Sequence, residues 1–199
     1  METPLNPTAT TEAGAKARLR AEALARRQSV PAEVREAFGR RLAHEGLRLA
    51  RTKTASVVSV FHPIRGEPDT LPLLSFLFHS GFVTALPVVV GRAAPLKFRA
   101  WSPGDPTMRG WQGLIEPCTE AREVEPDLLF VPLAAFDRRG HRIGFGAGHY
   151  DRTLAGLRRR GKLFTVGVAF AVCEIALAPN EPHDEALDCI VTDRETIFP

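Results

Sequence analysis

In RIGFGAGHYD, residues 142–151, glycine stands at positions 144, 146 and 148, and the run ends on an aromatic and an acid. Glycine offers no packing surface, so a backbone of this kind is built for something to approach it closely. Alternating glycines permit positive φ and bring N–H groups against an anion without interference from Cβ. Arg142, ahead of the run, can clamp a phosphate through two parallel hydrogen bonds. Asp151, behind it, can reach a metal ion on the same phosphates. The blander alternative is a glycine-rich turn whose Asp151 caps a helix, and on these ten residues the two readings stand even. The stretch is not a P-loop, since no Gly-Lys-Ser/Thr follows, and it is not a clean GxGxxG.

The flanking sequence supplies a frame. DLLFVPL (127–133) is wholly apolar and predicts a buried strand, and a helix is predicted from His149 to Arg160. A loop between strand and helix lies where open α/β sheets bind ligands. The helix N-terminus adds unpaired N–H groups and about half a positive charge. Further apolar strands are predicted at 55–61, 81–90, 163–170 and 188–193, a more exposed one at 96–101, and a helix over 68–80. Upstream, residues 1–12 read as a disordered tail, and 13–28 as a helix rich in Ala, Leu, Arg and Glu. A second helix follows, with Ser29 as its cap, Pro31 in its first turn, and Val34, Phe38 and Leu42 as an apolar stripe. Apolar strands alternating with helices imply an α/β domain over 13–199, its mostly parallel sheet covered on both faces and preceded by two helices.

Composition narrows the function. The chain has 199 residues and a net charge of +3, which permits an anionic ligand but lacks the dense basic stripe of a nucleic-acid binder. Three scattered cysteines form no CxxC pair, which argues against a disulfide framework or zinc site and fits a reducing, cytoplasmic setting. No apolar leader core is present at the N-terminus, and no run approaches the ~20 residues that cross a bilayer. No membrane partner is expected, and the chain is expected to act as a monomer.

FVPLAAFDRRGHRIGFGAGHYDRTL (130–154) resembles the signature of the 5-formyltetrahydrofolate cyclo-ligase family, also called methenyltetrahydrofolate synthetases. The likeness rests on Pro132, Phe136, Asp137, Gly140, Arg142, Gly144, Gly146, Gly148, Tyr150 and Asp151. KARLR (16–20), FHPIRGEPDT (61–70) and NEPHDEALD (180–188) follow the family's order. The resemblance implies a three-layer α/β/α domain. It also implies ATP-dependent, Mg²⁺-dependent closure of 5-formyltetrahydrofolate, with or without a polyglutamate tail, to 5,10-methenyltetrahydrofolate.

By that resemblance Lys16, Arg20, Arg142, Ile143, Gly144, Phe145, Gly146, Ala147, Gly148, His149 and Tyr150 hold ATP, with Arg142 and Tyr150 at the reacting groups. Phe61, His62, Glu67, Phe145 and His149 line the folate pocket, and Asp151 and Asp184 hold the metal. Read without it, Lys16 and Arg20 are a solvated basic helix face, and Glu67 is a helix-start acid. Asp184 is an exposed loop acid with Asp188 as its rival. Trp101 and Trp111 line the folate site or pack at the periphery, two readings of equal weight. Two positions depart from the family pattern: His149 stands where the family usually has an aromatic, and His141 where one is frequent. A non-catalytic nucleotide- or RNA-binding relative, and a sugar-phosphate isomerase or CoA-transferase-like enzyme of similar layout, are the competing classes.

Overall fold

The computed structural model describes residues 7–199, with side chains from residue 14 onward; of the disordered tail expected over residues 1–12, residues 1–6 lie outside the described residues and residues 7–12 are helical instead. Helix α1 spans Pro7–Gln28, six residues longer at its start than the sequence predicts. Proline is tolerated in a first turn because its missing N–H has no helical partner there. Helix α2, Ala32–Thr52, takes Pro31 as its N-cap residue, with φ −61° and ψ 153°, and not Ser29. The residue before a proline is pushed out of the helical region, so the start moves beyond Pro31. Ser29 instead donates its hydroxyl to the Arg26 carbonyl at 2.8 Å and closes α1.

Strand β1 (Val57–Ser59) is followed by α3 (Leu71–His79), β2 (Val83–Val88) and β3 (Lys97–Ala100). A short hairpin, β4 (Thr107–Arg109) with β5 (Ile115–Pro117), leads to β6 (Leu128–Pro132). A second hairpin, β7 (Ala135–Phe136) with β8 (Arg142–Ile143), carries the chain into α4 (His149–Arg160). Strands β9 (Phe164–Val168), β10 (Cys189–Val191) and β11 (Thr196–Ile197) complete it. The main sheet runs in the order β11-β10-β9-β6-β1-β2-β3, with the five inner strands parallel and both edge strands antiparallel.

The two faces are covered by different helices. Phe130 and Val166 are register partners and so share a face. Against it α2 comes close through Gly46, where a Cβ would lie 2.5 Å from a Leu73 methyl and 3.0 Å from the Phe130 ring. Thr165 points the other way and receives Arg158 of α4 at 3.2 Å. Each wholly buried Leu or Phe in these layers contributes about 1.5–3 kcal/mol. Among the described residues no helix is long and apolar enough to cross a membrane.

From β1 the chain proceeds to β2 on one side and later returns to lay β6 on the other. That reversal opens a crevice outside the carboxyl ends of β1 and β6, the position at which open α/β sheets bind ligands. Helix α1 lies over this end of the sheet: Arg20 reaches Gly144 just beyond β8, and Arg26 reaches Val172 just beyond β9.

Candidate active site

A cavity of about 860 Å³ fills the crevice. Lys16 and Arg20 enter it from α1, Phe61, His62 and Glu67 from the segment after β1, and Asp184 from the loop before β10. The run from Arg142 to Asp151 forms its floor. Residues separated by up to 168 positions in the chain thus face one space.

The glycines divide into two kinds. Gly146 and Gly148 have φ of 99° and 65°, a conformation that other residues rarely adopt. Gly144 has no positive φ, and a Cβ built on it meets no protein atom within 4 Å. Its missing side chain leaves open space in the cavity. Gly148 is the N-cap residue of α4, and no side chain caps the helix, so its first N–H groups stay available. Asp151 lies in the first turn without capping it. Arg20 Nε donates to the Gly144 carbonyl at 2.6 Å and its guanidinium lies against Gly146, while Arg152 donates to the Ala147 carbonyl at 2.5 Å. Two cations therefore bind the loop's carbonyls and turn its amides the other way.

Both aspartates carry a cation. Arg142, its side chain only 5% exposed, donates to Asp151 and to the Glu185 carbonyl. Burial pulls the Arg142 pKa below the ordinary arginine value, with Asp151 and Asp184 opposing it. Lys16 Nζ lies 2.8 Å from Asp184 and 2.9 Å from Glu181. Burial works against the Lys16 ammonium, but those two acids outweigh it and raise its pKa. Burial likewise works against the Asp184 carboxylate, and Lys16 with the Glu181 amide brings its pKa below the usual range. The rival Asp188 accepts from Thr165 and Arg158 and does not line the cavity.

The opposite wall is less charged. Glu67 accepts from the Ile64 amide at 3.0 Å, in a turn tied down by Arg27 on the Arg65 carbonyl and Arg35 on the Gly66 carbonyl. Burial pushes the Glu67 carboxyl up to about 7, against that hydrogen bond and the charges of Arg27 and Arg65. Burial, with the Glu67 charge adding to it, pushes the Tyr150 phenol far up, so it stays a neutral donor. Phe61 is buried, whereas Phe145 is half-exposed beneath the Arg27 guanidinium, 5.8 Å from its ring centroid. His149 Nδ1 faces the Ala94 carbonyl at 2.9 Å, which makes that nitrogen the donor and leaves the buried Nε2 without a protein partner. The Trp111 ring stands edge-on to His149, with centroids 5.6 Å apart.

Trp111 belongs to the cavity wall, while Trp101 is buried outside it and donates to the Asp105 carbonyl. Arg65, Gln112 and Arg152 also line the cavity and were not singled out from sequence. Arg65 and Gln112 have φ of 47° and 52°, and the glycine after each is the one local turn cue the sequence offered for them. Among the described residues no group of three or more His, Cys, Asp or Glu side chains converges to hold a metal ion. Asp151 and Asp184 are two hard oxygen donors on one cavity, the number Mg²⁺ takes where phosphate oxygens and waters complete its shell.

Residues 12–193 match the model of the 5-formyltetrahydrofolate cyclo-ligase family. The chain is 33% identical over 172 residues to 5-formyltetrahydrofolate cyclo-ligase of Escherichia coli K12, covering 84% of this chain and 94% of that one. It is 33% identical over 190 residues to the protein of that name from Mycolicibacterium smegmatis, covering 92% and 95%. Its fold superposes on the NMR structure of Aquifex aeolicus 5,10-methenyltetrahydrofolate synthetase with a TM-score of 0.76 at 30% identity, covering 92% of each chain.

Proposed function

Since the chain belongs to the 5-formyltetrahydrofolate cyclo-ligase family, we propose that it converts 5-formyltetrahydrofolate and ATP to 5,10-methenyltetrahydrofolate, ADP and phosphate. The observation that carries this reading is the open space beside Gly144 at an uncapped helix N-terminus, in one cavity with Glu67 and Tyr150. One wall suits phosphates and the other a heterocycle with N–H donors.

A formamide oxygen cannot leave as hydroxide, which explains the need for ATP. The formyl oxygen attacks the γ-phosphorus, the bond from that phosphorus to the ADP oxygen breaks, and an iminium phosphate forms. The N10 lone pair then attacks the formyl carbon, the carbon–oxygen bond breaks with phosphate leaving, and N10 loses its proton. No covalent enzyme nucleophile enters, so the protein's work is alignment and charge neutralisation.

The amides of the glycine loop and of the first turn of α4 receive phosphate oxygens, and Lys16 and Arg20 add charge from α1. Arg142 keeps Asp151 aimed at the cavity. Asp151 and Asp184 would hold Mg²⁺, which supplies neutralisation of the phosphate charge. Tyr150, neutral at all working pH values, donates to an oxygen at the reacting end. Ionised Glu67 accepts from the pterin N–H edge, which an apolar wall cannot do. Phe61 and Phe145 give the ring apolar surface on the cavity lining. The three thiols are free and two of them are buried, which suits a reducing cytoplasm, and we read the chain as a monomer because every residue assigned here comes from it.

The test is to mix the protein with 5-formyltetrahydrofolate, ATP and Mg²⁺ and follow the near-ultraviolet absorbance of methenyltetrahydrofolate. A rise that requires both ATP and Mg²⁺ is expected. A flat trace from folded protein would sink the reading and bring forward the nucleotide- or RNA-binding relative, for which salt-dependent RNA retention is the discriminating assay.

A further inference from the structure

Asp137 belongs to the stretch that carries the family resemblance, yet it does not line the cavity and the proposed chemistry gives it nothing to do. It is wholly buried. One carboxylate oxygen accepts from the Arg139 amide at 3.0 Å and the His141 amide at 3.1 Å. The other accepts from the Ala178 amide at 3.0 Å and from the Arg139 guanidinium at 3.1 and 2.9 Å. The first set shapes the β7–β8 turn that delivers Arg142. The Ala178 bond reaches a different segment, 174–188, which carries Asp184 and Glu185 to the site with no helix or strand of its own before β10.

The same two segments meet at backbone level on either side of Asp137. The Ile175 amide donates to the Phe136 carbonyl at 2.9 Å, and the Leu187 amide to the Gly140 carbonyl at 3.0 Å. Gly140 has a φ of 82°, and a Cβ there would lie 2.6 Å from the Leu187 carbonyl oxygen. Burial opposes the Asp137 charge, but the amides and Arg139 overcome it and hold the carboxyl below its ordinary range. Arg139 is half-exposed, so the buried amides are the partners that need this carboxylate.

We propose that Asp137 is a positioning residue, a buried joint that sets the β7–β8 hairpin and its Arg142–Asp151 pair against the segment bearing Asp184, and so fixes the spacing of the two acids. The proposal rests on the reading of those acids as the Mg²⁺–nucleotide wall, and it separates that wall from the folate wall. A carboxylate that supports ligating groups from behind, without touching the ion, typically changes metal affinity by about 10–100-fold when altered.

The experiment compares wild type with Asp137→Asn, which keeps shape but turns an N–H₂ group on the Ala178 amide or on the Arg139 and His141 amides. Thermal unfolding and near-ultraviolet circular dichroism report the fold. Kinetics give separate KM values for ATP and 5-formyltetrahydrofolate and the half-saturating Mg²⁺ concentration. Titration with a fluorescent ATP analogue, with and without Mg²⁺, reports the nucleotide wall independently of turnover. The expected result is a rise of about 10-fold or more in half-saturating Mg²⁺ and in KM for ATP, with KM for the folate within about 2-fold.

A lower melting temperature with all three constants unchanged in the folded protein overturns the proposal and leaves Asp137 a structural residue. Equal loss on both substrates overturns it as well. Should Asp137→Asn not fold, Asp137→Glu keeps the charge and displaces it by one methylene, and the same two criteria apply. If the wild type binds the Mg²⁺–nucleotide analogue but cyclises nothing, the proposed function fails while the titration still decides the role of Asp137.

Discussion

Arg142 and Asp151, nine residues apart, join the two ends of the glycine loop, with one terminal nitrogen of the buried guanidinium on Asp151 and the other on the Glu185 carbonyl. Lys16 of α1 and Asp184 of the loop before β10 form a second pair, 2.8 Å apart, on the same cavity. Each acid assigned to the metal is thus paired with a cation, Asp151 with Arg142 and Asp184 with Lys16. On the proposed reading Lys16 meets phosphate and the two acids meet Mg²⁺, so nucleotide and metal are expected to bind together more tightly than either does alone.

Asp151→Ala should therefore act on stability as well as on rate. It leaves an arginine with a 5% exposed side chain without the carboxylate it donates to, and breaking a buried pair this way costs about 3 kcal/mol. Denaturant unfolding should show that loss, and the cyclisation rate should fall by about 100-fold or more. Full activity with unchanged stability would remove Asp151 from both roles.

Lys16→Met tests the second pair through pH. The Asp184 carboxyl is held below its ordinary value of 3.8, so the stability it contributes is present above that value and lost as pH falls through the lower, folded value. The variant should be less stable than wild type by about 1 kcal/mol at neutral pH. The difference should shrink in acid, below the ordinary carboxylate range. A deficit independent of pH would show that packing of the lysine stem, not the ion pair, is what was lost.

Glu67 runs with the opposite sign. Its folded pKa of about 7 lies above the ordinary 4.5, so the native state holds the proton more tightly than the unfolded chain. Ionising Glu67 costs stability as pH rises from 4.5 through 7, and Glu67→Gln should gain on wild type across that window. The proposed recognition of the pterin N–H edge uses the ionised form. The kcat/KM for 5-formyltetrahydrofolate should accordingly rise through pH 7 in wild type and stay flat and low in Glu67→Gln.

Which parts of this were legible beforehand follows from the range of the forces involved. Leu128–Pro132 is unbroken apolar sequence, and α4 lies between Gly148 and Gly161, so local composition sufficed for both. The loop's shape was equally local, its glycines at 146 and 148 taking φ of 99° and 65°. Thr107–Arg109 has no buried residue and is three residues long, too short for any periodicity, so the hairpin that brings Trp111 and Gln112 over the cavity went unpredicted. The Arg142–Asp151 pair depends on how a left-handed loop folds back, and His149 meets Ala94 across 55 residues. Spacing along the chain carries neither relationship.

The glycines offer the sharpest separation of fold from function. Gly146→Ala puts a Cβ on a backbone with φ of 99° and should cost about 1–2 kcal/mol of stability. Gly144→Ala meets no protein atom within 4 Å and has no positive φ, so its stability should match or slightly exceed wild type. Its added methyl occupies the space assigned to a phosphate, so ATP affinity should fall while the melting temperature holds. Calorimetric titration of the nucleotide beside a thermal melt reads both quantities. Unchanged ATP affinity in Gly144→Ala would mean that the phosphates lie elsewhere, and the loop would lose its proposed role.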